Sequence, residues 1–246
     1  MIPLRDANPV SRRPVVTLAL IVLCIAVFAY ELVIQSSDGD AALERLFREY
    51  GLVPGELTLA FNGDQSNVLS AELLGAFTSM FLHGGWIHLI GNVLYLWIFG
   101  NNVEERLGRL GFLVFYLFGG VAAAATQIAI DPTSDVPMIG ASGAIAAVLG
   151  AYLVFFPRAR VLSLVFLGFF YQILHVPAVI VLGLWFVLQL VDGVASLGVE
   201  SAAGGVALFA HIGGFVAGAV IALILRTVGG ARGPRPARSP DRIGVG

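Results

Sequence analysis

An all-α bundle that crosses a membrane repeatedly is the fold class this sequence predicts, and three observations predict it. Hydrophobic residues make up 58% of the 246 and charged residues only 12%, against roughly 25% charged in soluble domains. Six apolar runs come close to the ~20 residues that carry a helix across a bilayer. The charges between those runs are sorted by side, as the loops of a polytopic membrane protein require.

In order, residues 1–14 are polar and proline-containing, with Arg5, Arg12 and Arg13, and are expected to be a flexible cytoplasmic tail. The first span is 15–34. It is long, and no small-residue cleavage site follows it, so it reads as a retained span and not as a leader peptide. An outer loop occupies 35–79. Within it Leu43, Leu46, Phe47 and Tyr50 fall at helical spacing opposite Glu44, Arg45, Arg48 and Glu49. That pattern suits a helix lying on the membrane surface or a small helix packed within the loop. The remaining spans are 83–100, 111–130, 137–156, 177–194 and 204–225. Residues 161–174 are apolar but short for a span, and read as interfacial or re-entrant backbone. The membrane domain thus covers 15–228, and the Pro-, Gly- and Arg-rich tail 229–246 is expected to be disordered and cytoplasmic.

Charge sets the orientation. The chain has no lysine. With six spans, Arg5, Arg12, Arg13, Arg106, Arg109, Arg158, Arg160, Arg226 and the tail arginines share one side. The other side holds only Arg45 and Arg48 among ten carboxylates. The positive-inside rule then places both termini in the cytoplasm. Cys24 is the only cysteine, which excludes an intramolecular disulfide and a cysteine metal site. No basic domain or nucleic-acid motif is present, no cofactor motif appears, and no feature sets an oligomeric state.

Ionisable and polar groups inside spans are costly and point to function. Here they are His88 and Asn92 in the second span, Ser142 in the fourth and His211 in the sixth, with Gln127, Gln189 and Asp192 nearer span ends. The second, fourth and sixth spans all enter from the outer side, so at ~1.5 Å per residue Ser142, His211 and His88 reach a common depth. Ser142 lies in Gly140-Ala141-Ser142-Gly143. Glycine in a helix costs roughly 1 kcal/mol against alanine, so these glycines imply that a backbone or a substrate comes close, or that a neighbouring helix packs there. Ser142, Ala146 and Gly150 form one small-residue face, and Gly214 and Gly218 another. Two such faces could bring the Ser142 hydroxyl to the His211 ring, where histidine could take its proton. His88 and Asn92 share a helix face and, with the Ser142 N–H, could stabilise an oxyanion. Alternatively they are interhelical glue. His83 and His175 read as packing histidines bonded to carbonyls. A metal site from His83, His88 and His211 would lack a carboxylate, and no H-E-x-x-H is present.

Four motifs in this order, His83-x-x-x-x-His88-x-x-x-Asn92, Glu104-x-Arg106-x-Gly108, Gly140-Ala141-Ser142-Gly143 and Ala210-His211-x-x-Gly214-x-x-x-Gly218, resemble those of the rhomboid intramembrane serine proteases of the bacterial type, over about residues 15–228. The resemblance implies a six-helix core in a bacterial plasma membrane and a membrane-embedded first loop. It implies a Ser142–His211 dyad without an acidic third member, an oxyanion hole from His88 and Asn92, no cofactor or metal, and single-span membrane proteins as substrates. One position departs. Family members often carry an aromatic four residues after the serine, packed on the histidine ring; here it is Ala146, so another group must hold His211. The rival class is a non-enzymatic transporter or scaffold with a polar intramembrane cavity, though no internal repeat of the transporter kind is found. The fifth span and the glycine-rich loop 195–204 are the expected gate for substrate and water.

Overall fold

The computed structural model describes residues 1–63, 66–167, 170–196 and 208–228. They form ten helices and three strands among those residues: β1 Ile2–Asp6, α1 Val15–Asp38, α2 Asp40–Tyr50, α3 Pro54–Asn62, α4 Ser66–Thr78, α5 Trp86–Tyr95, α6 Asn101–Leu107, α7 Arg109–Ile130, α8 Ser142–Phe155, β2 Arg160–Leu167, β3 Phe170–Pro177, α9 Ala178–Ser196 and α10 Leu208–Val228. A wide π-type turn, Leu96–Gly100, joins α5 to α6 without a break. The protein is therefore mostly helical, as its composition predicts.

At the centre stands α8, whose residues Ala144 to Tyr152 are all buried. It has no polar face, because α7 and α10 cover it on two sides and the α5–α6 helix and α9 complete the ring. Small residues set how close the covering helices come. A Cβ added to Gly218 would lie 2.0 Å from the Ala147 carbonyl oxygen, one on Gly214 2.3 Å from that of Gly143, and one on Gly150 2.1 Å from that of Phe215. The expected Gly214 and Gly218 face does meet α8, but there it meets Gly143 and Ala147, and of the α8 face expected at Ser142, Ala146 and Gly150 it is Gly150 whose backbone lies against that of α10. On α7, Gly119 meets Ala147 in the same way, its added Cβ lying 2.5 Å from the alanine methyl. Outside this core the helices turn apolar side chains outward, among them Val22, Ile87, Ile90, Val114, Phe118 and Val220. An apolar surface of that extent faces hydrocarbon rather than water.

By length and composition, α1, α7 and α10 can each cross a membrane; residues Asn67–Phe81 and Trp86–Leu107 pass the same test as a pair bent by 80°. Among the described residues, length alone thus accounts for three or four crossings where the sequence predicts six. The expected fifth and fourth spans fall short, their apolar helices being Ala178–Val191 and Ser142–Phe155, and the fourth shows why. Its helix starts at Ser142 and not at 137, because Gly140 takes φ +121° and Met138 exchanges backbone hydrogen bonds with Leu52. A helix enclosed by others can be short, since protein and not lipid meets its ends.

Two local readings change with the structure, and one left open is decided. Within the stretch 161–174, the described residues belong to two paired antiparallel strands, with Val161 paired to Val176 and Leu164 to Ile173. The supposed flexible tail supplies the third strand, Ile2 pairing with Leu164 and Asp6 with Val161. A β2 edge left open would expose a row of unmatched N–H and C=O groups, and β1 covers it. Further bonds hold the tail down: Ala7 N–H to the Arg160 carbonyl at 2.9 Å, Asn102 Nδ2 to the Asn8 carbonyl at 3.0 Å, and Ser11 N–H to Glu105 at 2.9 Å. Burial of Asp6 in this corner holds its carboxyl above the usual carboxylate range. In the outer loop, α2 buries Leu46 and half-buries Leu43 and Phe47, so it is a packed loop helix. The loop keeps its own small core, with Leu52 and Leu57 on Ala124 of α7.

Glu104 joins the start of α1 to the middle of the chain. Its carboxylate accepts the N–H of Val16 at 3.0 Å, the N–H of Thr17 at 2.7 Å and the Thr17 hydroxyl at 2.8 Å. These are first-turn donors that α1 cannot satisfy itself, and the negative charge sits at the favourable end of the helix dipole. Replacing Glu104 with Ala should lower stability by about 1–3 kcal/mol, the cost of buried donors left without an acceptor. Thermal unfolding in detergent would show it as a lowered midpoint, and an unchanged midpoint would mean that the three bonds contribute nothing net.

Candidate active site

Two helix starts converge. Ser142 is the first residue of α8, so its N–H belongs to the turn that has no helical acceptors. Across the α8–α10 contact, His211 lies one turn into α10 and is buried to 7% exposure. Its Nε2 stands 2.7 Å from the Ser142 Oγ. The start of α10 is fixed by a residue on α7. Gln127 Oε1 accepts the N–H groups of Phe209 at 3.1 Å and Ala210 at 3.3 Å, a side-chain cap for otherwise unsatisfied donors.

His88 approaches from α5. A Cβ on Gly140 would fall 2.5 Å from His88 Nε2 and 3.6 Å from Ser142 Oγ, so the absence of a side chain at 140 leaves room for that ring beside the serine. His88 also packs edge-on against His83, with ring centroids 5.2 Å apart. His83 is a packing histidine, as expected: its Nδ1 meets the Phe81 carbonyl at 3.1 Å, and its main-chain N–H donates to Glu31 at 3.0 Å. His175 is different. It lies exposed on β3, opposite Leu162. Asn92, one turn beyond His88, is 8% exposed, and its Nδ2 has no hydrogen-bond partner among the described residues. Ser142 and His211 are thus brought into contact and His88 beside them, while Asn92 offers an unused donor on the His88 face.

The question raised by Ala146 has a structural answer. Ala146 is fully buried, and the aromatic against His211 comes from α9. Trp185 lies with its ring centroid 6.0 Å from that of His211, at 39° between planes, and also contacts Phe215. One turn further along α9, the Gln189 amide nitrogen Nε2 meets the other ring nitrogen, Nδ1. The sequence signal was the i, i+4 pair Trp185 and Gln189 on one apolar helix, a pattern that does not name its partner. Among the described residues no group of three His, Cys, Asp or Glu is placed to hold a metal ion. The expected gate loop 195–204 lies outside the described residues apart from its first two.

A serine hydroxyl bonded to a buried imidazole, between helix starts, is an arrangement able to make a nucleophile. The sequence model of the Rhomboid domain family matches residues 70–228. The chain belongs to the rhomboid family. Its long apolar helices and this membership make it an integral membrane protein. Among known rhomboids it is similar to Rhomboid-like protein 11, chloroplastic, of Arabidopsis thaliana, with 43% identity over 68 residues, 28% of this chain and 24% of that protein. It resembles Rhomboid protease GluP of Bacillus subtilis at 35% over 99 residues, 40% of this chain and 19% of that one. The match to Rhomboid protease AarA of Providencia stuartii is longer, 27% over 229 residues, with 84% and 71% covered. This rhomboid therefore spans a quarter or less of the length of the first two relatives.

Gly140 tests how tightly the site is built. With φ +121° and His88 in the way, Gly140→Ala should cost about 1–3 kcal/mol in backbone strain alone. Gly91→Ala on α5, where an added Cβ meets nothing within 4 Å, should be neutral or gain up to about 1 kcal/mol of helix propensity. Comparing unfolding midpoints of the two variants checks this; equal midpoints would contradict it.

Proposed function

We propose that this chain is an intramembrane serine endopeptidase that cuts transmembrane or membrane-adjacent segments of other membrane proteins. The observation that carries the reading is the 2.7 Å contact between Ser142 Oγ and His211 Nε2; relatives named as rhomboid proteases support it. In this reading Oγ attacks the scissile carbonyl carbon while its proton passes to Nε2. The carbonyl oxygen gathers negative charge and is met by the Ser142 N–H, by Asn92 Nδ2 and by the His88 ring. His211 then gives the proton to the leaving amine, the C–N bond breaks, and an acyl-serine remains. Water repeats the sequence to release the acid. The dyad needs no acidic third member here.

Six crossings suit this reading, formed by α1, the continuous α5–α6 helix, α7, α8, α9 and α10. Both termini, the β1–β2–β3 sheet and Arg158 and Arg160 then share the cytoplasmic side of a bacterial plasma membrane, with the outer loop and the serine toward the opposite face. Single-span membrane proteins are the substrate class that can reach such a site laterally.

Proteolysis of a single-span substrate in liposomes tests the reading. Ser142→Ala should reduce cleavage to background, and equal cleavage by wild type and variant would favour a transporter or scaffold in its place. Asn92→Ala should keep fluorophosphonate labelling of Ser142 but lower kcat by about 100- to 1,000-fold, the loss seen when one oxyanion donor is removed. Normal turnover in that variant would take Asn92 out of the site.

A further inference from the structure

We propose that a hollow at the starts of α1 and α7 is a binding site for the phosphate of an anionic phospholipid, held by Arg12, Arg13 and Arg109. The hollow has a volume of about 570 Å³, and Glu104, Glu105 and Gly108 complete its wall. That volume falls within the ~300–1,000 Å³ usual for small-ligand sites. The site needs α1 and α7 to stand in a membrane and needs no catalytic role for Ser142.

Two segments distant in the chain build the hollow, and both are held in place. The N-terminal segment is tied on either side of its arginine pair. Before the pair, the Ser11 N–H donates to Glu105 at 2.9 Å. After it, the N–H groups of Val16 and Thr17 donate to Glu104. The same bonds occupy the carboxylates of the wall: the start of α1 takes both Glu104 oxygens, and Ser11 takes one from Glu105. No ion pair or side-chain hydrogen bond engages Arg12, Arg13 or Arg109 among the described residues. Positive charge is therefore in excess, and it has no acceptor within the protein. α7 begins at Arg109 without a side-chain cap, so its first-turn N–H groups add donors suited to an anion.

The level of the hollow identifies the source of the phosphate. Val15 begins one membrane-length helix and Arg109 another, so the hollow lies where hydrocarbon gives way to headgroups. In the first turns of the same two helices Val15, Leu18, Leu110 and Val114 are exposed, which offers acyl chains an apolar surface next to the arginines. Each guanidinium presents paired N–H donors that match two phosphate oxygens. Cations at this level also attract acidic lipids. A zwitterionic lipid would bring its ammonium group toward the same three arginines. The site therefore selects a lipid whose headgroup carries no cation, such as phosphatidylglycerol.

Native mass spectrometry of the full-length protein tests the site, with phosphatidylglycerol and phosphatidylcholine of identical acyl chains added at equal concentration. Wild type should retain phosphatidylglycerol in preference to phosphatidylcholine. Arg109→Gln should weaken that retention about fivefold and the double variant Arg12→Gln/Arg13→Gln about 25-fold, the scale of one basic residue each at an acidic lipid surface. Arg109→Lys keeps the charge but loses the fork, and should fall between wild type and Arg109→Gln. Arg158→Gln removes the same charge from another exposed position and should change nothing. All four arginines are exposed, so the unfolding midpoints should stay at the wild-type value. Glycerol 3-phosphate, at the concentration of the lipid, supplies the same phosphate without chains and should leave the bound lipid in place. Displacement at that concentration would assign the hollow to a soluble phosphate ester and overturn the proposal. Equal retention by wild type and the variant lacking all three arginines would overturn it too, as would an equal loss in Arg158→Gln. None of these readouts depends on peptide cleavage.

Discussion

Between α8 and α10 the two backbones lie so close that side chains cannot be inserted at Gly150, Gly214 or Gly218 without striking a carbonyl of the opposite helix. Hydrophobic collapse cannot supply this closeness inside a membrane, because lipid is as apolar as the side chains it would replace. Dispersion contacts and shape remain, and glycine maximises both. The spacing places the first turn of α8 against the second of α10, and the distance from Ser142 to His211 follows from it. A serine and a histidine on helices a normal 8–10 Å apart would need longer side chains to meet.

Two helix starts are capped by side chains from distant parts of the chain. Glu104 satisfies the start of α1 and Gln127 the start of α10. In each case the acceptor comes from elsewhere in the chain, so a cap also acts as a tertiary joint. In an apolar surrounding such joints replace the water that would solvate the same groups in a soluble protein. They also make helix starts rigid, which suits a site assembled from two of them.

The apolar helices and the contact of Ser142 with His211 were legible because the membrane makes polar residues conspicuous. Ser142, His88, Asn92 and His211 stand in runs where almost nothing else can hydrogen-bond, and the glycine spacing announces which faces can approach. Less was visible where the signal depends on a partner. The apolar stretch 161–174 looks alike as a short helix, a re-entrant segment or a strand, and the strands β2 and β3 found there are set by pairing with each other and, for β2, with β1. The start of α8 moved from 137 to 142 because of a loop contact to Leu52, more than eighty residues away in sequence. The aromatic on His211 came from α9 because a contact at a given place in space can be filled from several places in the chain.

The β1–β2 pairing sets an order of events in synthesis. Ile2 emerges from the ribosome well before its partner Leu164, which follows only after the segments that become α1 to α8. Through that interval the strand has no template and must stay solvated beside the translocation machinery. Contacts so distant in sequence are slow to form because the intervening chain must be organised first. Docking of β1 therefore closes the assembly of α1 to α8, and a change that weakens this strand would burden a late step of folding while leaving the early ones unchanged.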